Sequence, residues 1–330
     1  MIRLALLLIV VFSVAITPDS SAQAQDRFTL IEPYVKSLNI GRHSLEAFTR
    51  EVLMKESQTE LEKAWAIYVW ITDNITYDCR AYHKNKATKI KYASEEDLAK
   101  KLAKLEEKEL HRTVRLQRGV CEDYAQLFQA MCSYVGIEAE IITGYGRTSY
   151  RDIGRRGRSA NHAWNRFRAG GQWYLVDATW GAGYTDAGVR KFTPEFRPAY
   201  FMMPPEDMIK NHYPDKPEWQ QLAQVVSREW AAQQAIYHYA YWRYGVKKLT
   251  PNTGFIKGRS IRFELELDTE VDAGKLAVVQ DGLIIHQGFT KQGTVYSAEV
   301  SLKRRGKRRI MLGVRKGKKQ FDTIIEYRLQ

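Results

Sequence analysis

The chain has 330 residues, of which 44% are hydrophobic and 12% aromatic, with 51 Lys and Arg against 38 Asp and Glu. This length exceeds one average domain and the apolar content is enough for a buried core, so the composition predicts two domains and excludes a disordered chain. Three cysteines exclude a small disulfide-stapled fold and a four-cysteine zinc site, and the net charge of +13 predicts attraction to anionic surfaces or acidic partners.

Residues 1–24 have the pattern of a secretory signal peptide. Arg3 supplies a positive start, a 13-residue run without charge follows over residues 4–16, and Ala22-Gln23-Ala24 fits a small-x-small cleavage pattern. The alternative is a membrane anchor, but such a run is too short to span a hydrocarbon core of about 30 Å as a helix. We therefore expect a mature chain without a transmembrane segment that is secreted, periplasmic or located in the cell envelope.

Hydrophobic periodicity predicts a mixed α+β region after this segment. The predicted helices cover residues 57–74, 94–110, 121–135 and 219–244. The predicted strands cover residues 137–145, 162–168 and 173–178, and a glycine turn joins the last two into a hairpin.

Composition changes after Gly245. Six short β-like runs follow, over residues 260–267, 275–280, 283–286, 294–302, 309–314 and 321–329. Short strands separated by turn residues are typical of a β-sandwich. The predicted domains are therefore an α+β domain at 25–244, with a core at about 60–185 and a C-terminal extension, and an all-β domain at 245–330.

Three separate segments carry residues that predict thiol chemistry. Cys121 begins a buried helix, where backbone N–H groups and the helix dipole favour a thiolate. His162 begins a strand and can hold and donate a proton, and Asp177 on the neighbouring hairpin strand can fix the imidazole tautomer. Taken singly, the three residues can equally be a core thiol, a structural histidine and a turn former. Together, in the order helix, strand, strand along the chain, they predict a catalytic triad.

The hairpin between residues 162 and 178 supports this grouping. Antiparallel pairing about a turn centred near Gly170 places Phe167 near Trp173 and Trp164 near Val176. In this register His162 lies close to residue 177 or 178.

The compartment predicted by the signal peptide is oxidising, which affects the three cysteines. Cys121 and Cys132 are eleven residues apart on one predicted helix, about 16 Å along its axis, too far for a disulfide. Pairing of Cys79 with Cys132 or Cys121 stays open beside the alternative of three free thiols.

These residues resemble the transglutaminase-like superfamily, which is related to papain-type cysteine peptidases, and most closely its kyphoscoliosis-peptidase and cytokinesis-protein branch. The resemblance covers about residues 60–230. Beyond the triad it depends on the segments 63–71, 74–78, 181–183 and 200–206, and on His212, Pro214 and Trp219. The β-rich tail resembles, more loosely, the immunoglobulin-like module of that branch.

The resemblance implies a papain-like core and an enzyme, either a cysteine peptidase or a protein-glutamine acyltransferase. It assigns Cys121 as nucleophile, His162 as general acid/base and Asp177 as the residue that orients it. The Cys121 N–H would form half of an oxyanion hole, with Gln117 as a candidate second donor, and Trp164 and Trp180 would line the acyl channel. The sequence shows no metal-ligand cluster, no calcium site and no cofactor motif, so none is expected.

The partners expected from the sequence follow from its charge. Residues 301–330 hold eleven Lys and Arg against two acids. Given the signal peptide, this predicts attraction to an anionic cell-envelope polymer rather than to nucleic acid; the alternative is a pair of solvated hairpin turns. The substrate would be a protein or peptide. The alternative function is a catalytically silent scaffold with the same fold that docks on anionic envelope material or protein partners.

Overall fold

A computed structural model of the chain describes residues 18–84, 90–157, 159–303, 308–318 and 320–330. Most of the predicted signal peptide, residues 1–17, lies outside the described residues, and helix begins at Pro18. In the part of the chain that the structure describes, no helix has both the length and the apolar character needed to cross a membrane.

The helices lie in the first three quarters of the described chain. They are α1 (Pro18–Lys36), α2 (Leu45–Ala47), α3 (Glu60–Asn74), α4 (Cys79–Lys84), α5 (Glu95–Leu116), α6 (Cys121–Tyr134), α7 (Ala178–Ala182), α8 (Pro205–Asn211), α9 (Arg228–Gln233) and α10 (Tyr239–Arg243). Two of the predicted helices, α3 and α5, begin at a side-chain cap. Thr59 accepts a hydrogen bond from the Glu62 N–H, and Ser94 accepts one from the Asp97 N–H.

The strands of the first region are short, apart from three around the hairpin. They are β1 (Thr76–Tyr77), β2 (Arg118–Gly119), β3 (Ala139–Gly146), β4 (His162–Ala169), β5 (Gln172–Val176), β6 (Gly183–Thr185), β7 (Phe192–Pro194), β8 (Phe201–Met203), β9 (His212–Pro214) and β10 (Ile236–Tyr237).

The strands of the second region occupy most of its length. They are β11 (Val246–Thr250), β12 (Phe255–Ile256), β13 (Ser260–Leu267), β14 (Leu276–Gln280), β15 (Leu283–Gln287), β16 (Thr290–Gln292), β17 (Val295–Ser301), β18 (Arg309–Arg315) and β19 (Phe321–Leu329). Each of the six predicted β-like runs contains one of them.

A five-stranded antiparallel sheet in the order β8-β5-β4-β3-β9 forms the centre of the first region. Helix α6 packs against β3 and β4, and α3 packs against α6. Large apolar side chains fill the space between these layers, among them Trp70, Phe128 and Phe167, all almost completely buried. The sheet and α6 therefore form the frame on which the site is built.

Two sheets form the second region. One has the antiparallel order β10-β19-β18-β14-β15, with β12 pairing parallel to β19, and the other has the antiparallel order β11-β13-β17-β16. Their inner faces share one apolar core, to which Phe263 and Tyr296 contribute from one sheet and Val278 and Ile325 from the other. The predicted α+β domain followed by a β-sandwich is confirmed as the fold class. Strand β10 lies before residue 245 in the chain yet pairs with β19.

Two sequence-based expectations about local structure are wrong. The segment 219–244 is not one helix: only α9 and α10 are helical, and β10 lies between them, because residues 236–237 pair with β19 instead of continuing a helix. The hairpin register differs by one residue, with Phe167 opposite Tyr174 and Val176 opposite Asn165. Its turn consists of two glycines with positive φ, 55° and 79°, rather than three residues.

Candidate functional site

Cys121 is the first residue of α6 and carries a partly exposed free thiol. The chain before it is extended, and the Val120 N–H donates to Asp123 Oδ2 at 2.7 Å, which fixes the turn into the helix. Gly119 is required there, since a Cβ at this position would lie 2.5 Å from the Cβ of Asp123. The first N–H groups of a helix have no intrahelical acceptor, so the thiol lies at a positive helix end.

Two buried polar side chains hold α6 in place. Asn165 on β4 donates through Nδ2 to the carbonyl oxygens of Ala125 in α6, at 3.0 Å, and of Glu140 in β3, at 3.3 Å. The Tyr124 hydroxyl donates to the carbonyl of Ile75, just before β1. These contacts fix the start of α6 relative to the sheet and therefore relative to His162.

His162 is the first residue of β4, and its Nε2 lies 2.7 Å from Oδ2 of the completely buried Asp177. Asp177 follows β5 and is the N-cap of α7, where its Oδ1 accepts from the Trp180 N–H at 2.9 Å. The sequence analysis expected Asp177 on the strand itself, and this expectation is wrong. The Cys121 thiol lies near the imidazole, since it raises the pKa of His162. The structure thus brings the three predicted residues together.

The protonation of the site follows from these contacts. Burial lowers the pKa of His162, but the charge and hydrogen bond of Asp177, together with Cys121, raise it to about 10. Burial raises the pKa of Asp177, but the charge and hydrogen bond of His162, together with the hydrogen bond of His212, hold it well below its usual range. Around neutral pH the pair is therefore an imidazolium and a carboxylate.

His212, on β9, is a site residue for which the sequence analysis assigned no role. Its Nε2 lies 2.9 Å from the same Oδ2 of Asp177, and its side chain is buried. Burial lowers the pKa of His212, and the positive charge of His162 lowers it further against the opposing effect of Asp177. His212 is therefore a neutral donor to Asp177. Only the pairing of β9 with β3, which places His212 opposite Gly146, brings it here.

The ligand-type atoms of His162, Asp177 and His212 lie within 4.8 Å of one another, which raises the question of a metal ion. Two ligand atoms on a tetrahedral zinc ion, each about 2.0–2.1 Å from the metal, are about 3.3 Å apart. Here the two histidine nitrogens lie 2.7 and 2.9 Å from one carboxylate oxygen. These are hydrogen-bond distances, so the cluster fits a charge-assisted network better than a metal centre.

The two predicted tryptophans enclose His162. Trp164 stacks on its ring with 5.8 Å between centroids and is buried; Trp180 stacks at 5.3 Å and is partly exposed. Gln117 is exposed and ends α5 in a left-handed conformation, with its carbonyl accepting from the Thr76 N–H at 3.0 Å. The proposed roles of these three residues toward substrate stay predictions.

All three cysteines are free thiols. Cys132 is buried in α6, and burial raises its pKa well above the usual value. Cys79 is partly exposed, and burial together with the charges of Asp186 and Asp78 raises its pKa. The structure therefore contains neither of the disulfides that the sequence left open.

Residues 46–178, which include Cys121, His162 and Asp177, match the family model of the transglutaminase-like superfamily. The chain therefore contains a transglutaminase-like domain, as the resemblance indicated.

Among curated proteins, the chain is 27% identical over 281 residues to mouse kyphoscoliosis peptidase, which covers 84% of this chain and 39% of that protein. It is 29% identical over 206 residues to the human kyphoscoliosis peptidase, covering 62% of this chain and 28% of that protein. The chain thus spans less than two fifths of the length of these relatives. A solved transglutaminase structure covers 51% of the chain at 16% identity with a TM-score of 0.26, which is too low to support any argument.

Proposed function

We propose that this chain is an exported thiol enzyme that acts on protein or peptide amides through Cys121, His162 and Asp177. The observation that carries the proposal is the buried hydrogen bond of 2.7 Å between Asp177 and His162, whose pKa is also raised by the Cys121 thiol at a helix N-terminus. Export is supported by the signal-peptide pattern of residues 1–24. Binding to an anionic cell-envelope polymer belongs to the same proposal, and the basic residues of the tail 301–330 support it; part of this tail lies outside the described residues.

In the first half-reaction, the Cys121 thiolate attacks the carbonyl carbon of a glutamine side-chain amide or a peptide bond. A C–S bond forms and the carbonyl oxygen becomes an oxyanion. The His162 imidazolium then donates its proton to the amide nitrogen, the C–N bond breaks, and ammonia or an amine leaves. The product is an acyl-thioester on Cys121 with a neutral His162.

In the second half-reaction, water or an amine attacks the thioester carbon while His162 takes up its proton. The C–S bond breaks, the thiolate is restored, and His162 is again an imidazolium held by Asp177. Water gives hydrolysis and an amine gives a crosslink. The name of the kyphoscoliosis peptidases favours hydrolysis as the first reaction to test.

Charge that develops on the carbonyl oxygen needs donors close by. The Cys121 N–H lies at the N-terminal end of α6, where it has no intrahelical acceptor, and we assign it as one donor. Trp180, stacked on His162 and partly exposed, covers the ring from solvent. This cover favours the ion pair, because charges interact more strongly where water is excluded.

The proposal is tested by mass spectrometry of the protein treated with iodoacetamide between pH 4 and 8, with His162→Ala alongside. We expect Cys121 to react rapidly even near pH 5 in the unaltered protein, because His162 with a pKa of about 10 stays protonated and stabilises the thiolate. Cys79, whose pKa is raised, is the internal control and should react only toward alkaline pH.

Loss of the acid-pH reaction in His162→Ala would establish the ion pair and justify assays of ammonia release with water or an amine as acceptor. A Cys121 that reacts no faster than Cys79 at any pH would contradict the proposal. That outcome would favour the alternative of a silent scaffold with a transglutaminase-like fold.

A further inference from the structure

A groove of about 570 Å³ lies beside the start of α6, within the range of about 300–1,000 Å³ typical of ligand sites. One wall is formed by β1 and the start of α4, and Arg118 on β2 lies at its end. The opposite wall is formed by residues 190–192, which lead into β7. None of the mechanistic roles assigned above uses this groove.

Chain connections place this groove next to the reacting thiol. Tyr77, in the wall, pairs with Gly119, two residues before Cys121, and the Asp78 N–H donates to the Gly119 carbonyl at 2.8 Å. Burial raises the pKa of Tyr77, and the charge on Cys121 raises it further, so the phenol and the thiol are electrostatic neighbours. The opposite wall continues from Asp177 through α7 into the β6–β7 pair, where Thr185 faces Phe192.

The charge of the groove is strongly positive. Four cationic side chains and one carboxylate, that of Asp78, line it. The cations are Arg80, Arg118, Arg190 and Lys191, all on exposed residues. The Asp78 carboxylate already accepts hydrogen bonds from the backbone N–H groups of residues 80 and 81 at the start of α4, at 3.1 and 2.9 Å. Positive charge therefore dominates what a bound molecule would meet.

The basic wall is held in shape by local contacts. Asp186 accepts hydrogen bonds through Oδ1 from the backbone N–H groups of Arg190 and Lys191, and its Oδ2 lies 3.6 Å from the Arg190 guanidinium. His83 on α4 contacts the carbonyl oxygens of Gly188 and Val189, both at 3.1 Å. These contacts fix the backbone that carries Arg190 and Lys191, which lowers the conformational entropy that the loop would lose on binding.

We propose that this groove binds an acidic segment of the substrate polypeptide next to the amide that Cys121 attacks. The inference rests on the proposed function and adds the substrate class to it. Arginine and lysine side chains bind the carboxylates of Asp and Glu, and the rings of Tyr77 and Phe192, 6.4 Å apart, supply an apolar surface for the peptide between them. A peptide is the occupant because Tyr77 and Arg118, which line the groove, belong to the β1–β2 pair that ends two residues before Cys121, near which an amide must lie to react.

The binding test uses Cys121→Ala protein and fluorescence anisotropy, so that turnover plays no part. The probe is a labelled nonapeptide with a central glutamine flanked by glutamates, and its twin has glutamines in place of the glutamates. The groove variant adds Arg80→Gln, Arg190→Gln and Lys191→Gln. The matched control adds Lys257→Gln, Arg259→Gln and Lys275→Gln, exposed cations of the C-terminal domain, and loses the same total charge.

We expect the acidic peptide to bind about tenfold more weakly to the groove variant than to the control, because the variant loses three cations that can pair with the glutamates. The preference for the acidic peptide over its twin should decrease as salt rises. Equal affinity in the groove variant and the control would overturn the inference. A heparin fragment whose affinity equals that of the acidic peptide, and is lost in the groove variant but kept in the control, would overturn the assignment to a polypeptide.

A second readout separates this inference from the proposed function. The ratio of Cys121 alkylation by anionic iodoacetate to that by neutral iodoacetamide should decrease severalfold in a groove variant that keeps Cys121, and stay unchanged in the control. A protein that alkylates and turns over normally but shows no charge preference would refute the groove alone. A protein that binds acidic peptide through the groove but never turns over would refute the enzyme and leave the groove as a peptide-binding site.

Discussion

Two carboxylates, Asp177 in the α+β core and Glu326 in the C-terminal sandwich, are almost completely buried, with 0% and 2% of their surface exposed. Each interacts with two side chains that can carry positive charge and with one backbone N–H. Asp177 has His162, His212 and the Trp180 N–H, and Glu326 has His238, Arg309 and the Tyr150 N–H. In both places burial raises the carboxyl pKa and the partners lower it, for Glu326 to about 2.

The two networks differ in what lies next to the carboxylate and its partners. At Asp177 one partner is His162, whose pKa is also raised by the partly exposed Cys121 thiol, so the buried network lies next to a thiol. At Glu326 one partner is the backbone N–H of Tyr150, which belongs to a short 3-10 turn of the α+β core and lies 3.0 Å from the carboxylate on β19. The same kind of network therefore lies beside a thiol in one region and joins two regions of the chain in the other.

The largest difference between the Asp177 and Glu326 networks is expected in the activity of Asp177→Asn. An amide cannot hold the imidazolium as a carboxylate does, and it favours the wrong imidazole tautomer, so kcat/KM should decrease by about 10⁴-fold. Amide hydrolysis and acid-pH alkylation of Cys121 are the measurements. Glu326→Gln is the control, because it removes a buried negative charge of the same kind without touching His162. A similar loss of activity in both variants would show that buried charge in general, not the contact with His162, sustains the reaction.

The local parts of this arrangement could be predicted from sequence. The apolar spacing and Gly119 indicate the start of α6, and the run that begins at His162 alternates as a strand does, because both patterns depend on neighbours a few residues away. The capping role of Asp123 could also be predicted, since an acidic residue at the third helical position is a capping pattern. The interpretation of residues 121, 162 and 177 as one group came from their chemistry and order along the chain and from the hairpin, and the resemblance then assigned their roles.

Other parts could not be predicted because distant segments determine them. His212 reaches Asp177 only because β9 pairs with β3, a contact between segments more than 60 residues apart. Residues 236–237 form a strand only because β19 is available as a partner, which overrides the helical appearance of the segment 219–244. The one-residue register difference in the β4–β5 hairpin comes from a turn type that Gly170 and Gly171 adopt and that the sequence allows but does not require.

A smaller effect, on stability instead of activity, is expected for Glu326→Gln. The folded-state pKa of Glu326 is lowered to about 2, so its stabilising contribution is present above its ordinary pKa and is lost as the pH falls toward 2. The shift corresponds to about 3 kcal/mol of unfolding free energy at neutral pH. Urea unfolding at pH 7, 4 and 3 is the measurement: the unaltered protein should lose stability on acidification, and the variant should start lower and lose less.

The matched control for this measurement is Glu218→Gln, which removes an exposed carboxylate of the α+β region. Exposed charges contribute little to stability, so its unfolding curve should follow that of the unaltered protein at each pH. If Glu326→Gln unfolded with the same pH dependence as this control, the buried charge of Glu326 would not be a source of stability. The comparison with Asp177 would then lose its second member.

The smallest effect tests whether His212 has a function in the Asp177 network beyond filling space. A hydrogen bond to a charged group contributes about 1.5–3 kcal/mol, so His212→Phe, which keeps a ring but cannot donate, should lower kcat about 10- to 100-fold. KM should change little, because His212 is buried and acts through Asp177. His212→Gln, whose amide can donate to the carboxylate, should recover part of the loss. Steady-state kinetics of both variants decide the question. If His212→Phe and His212→Gln were equally active, His212 would only pack against Trp180, whose ring centroid lies 4.2 Å from its own. His162 alone would then hold Asp177 in its catalytic orientation.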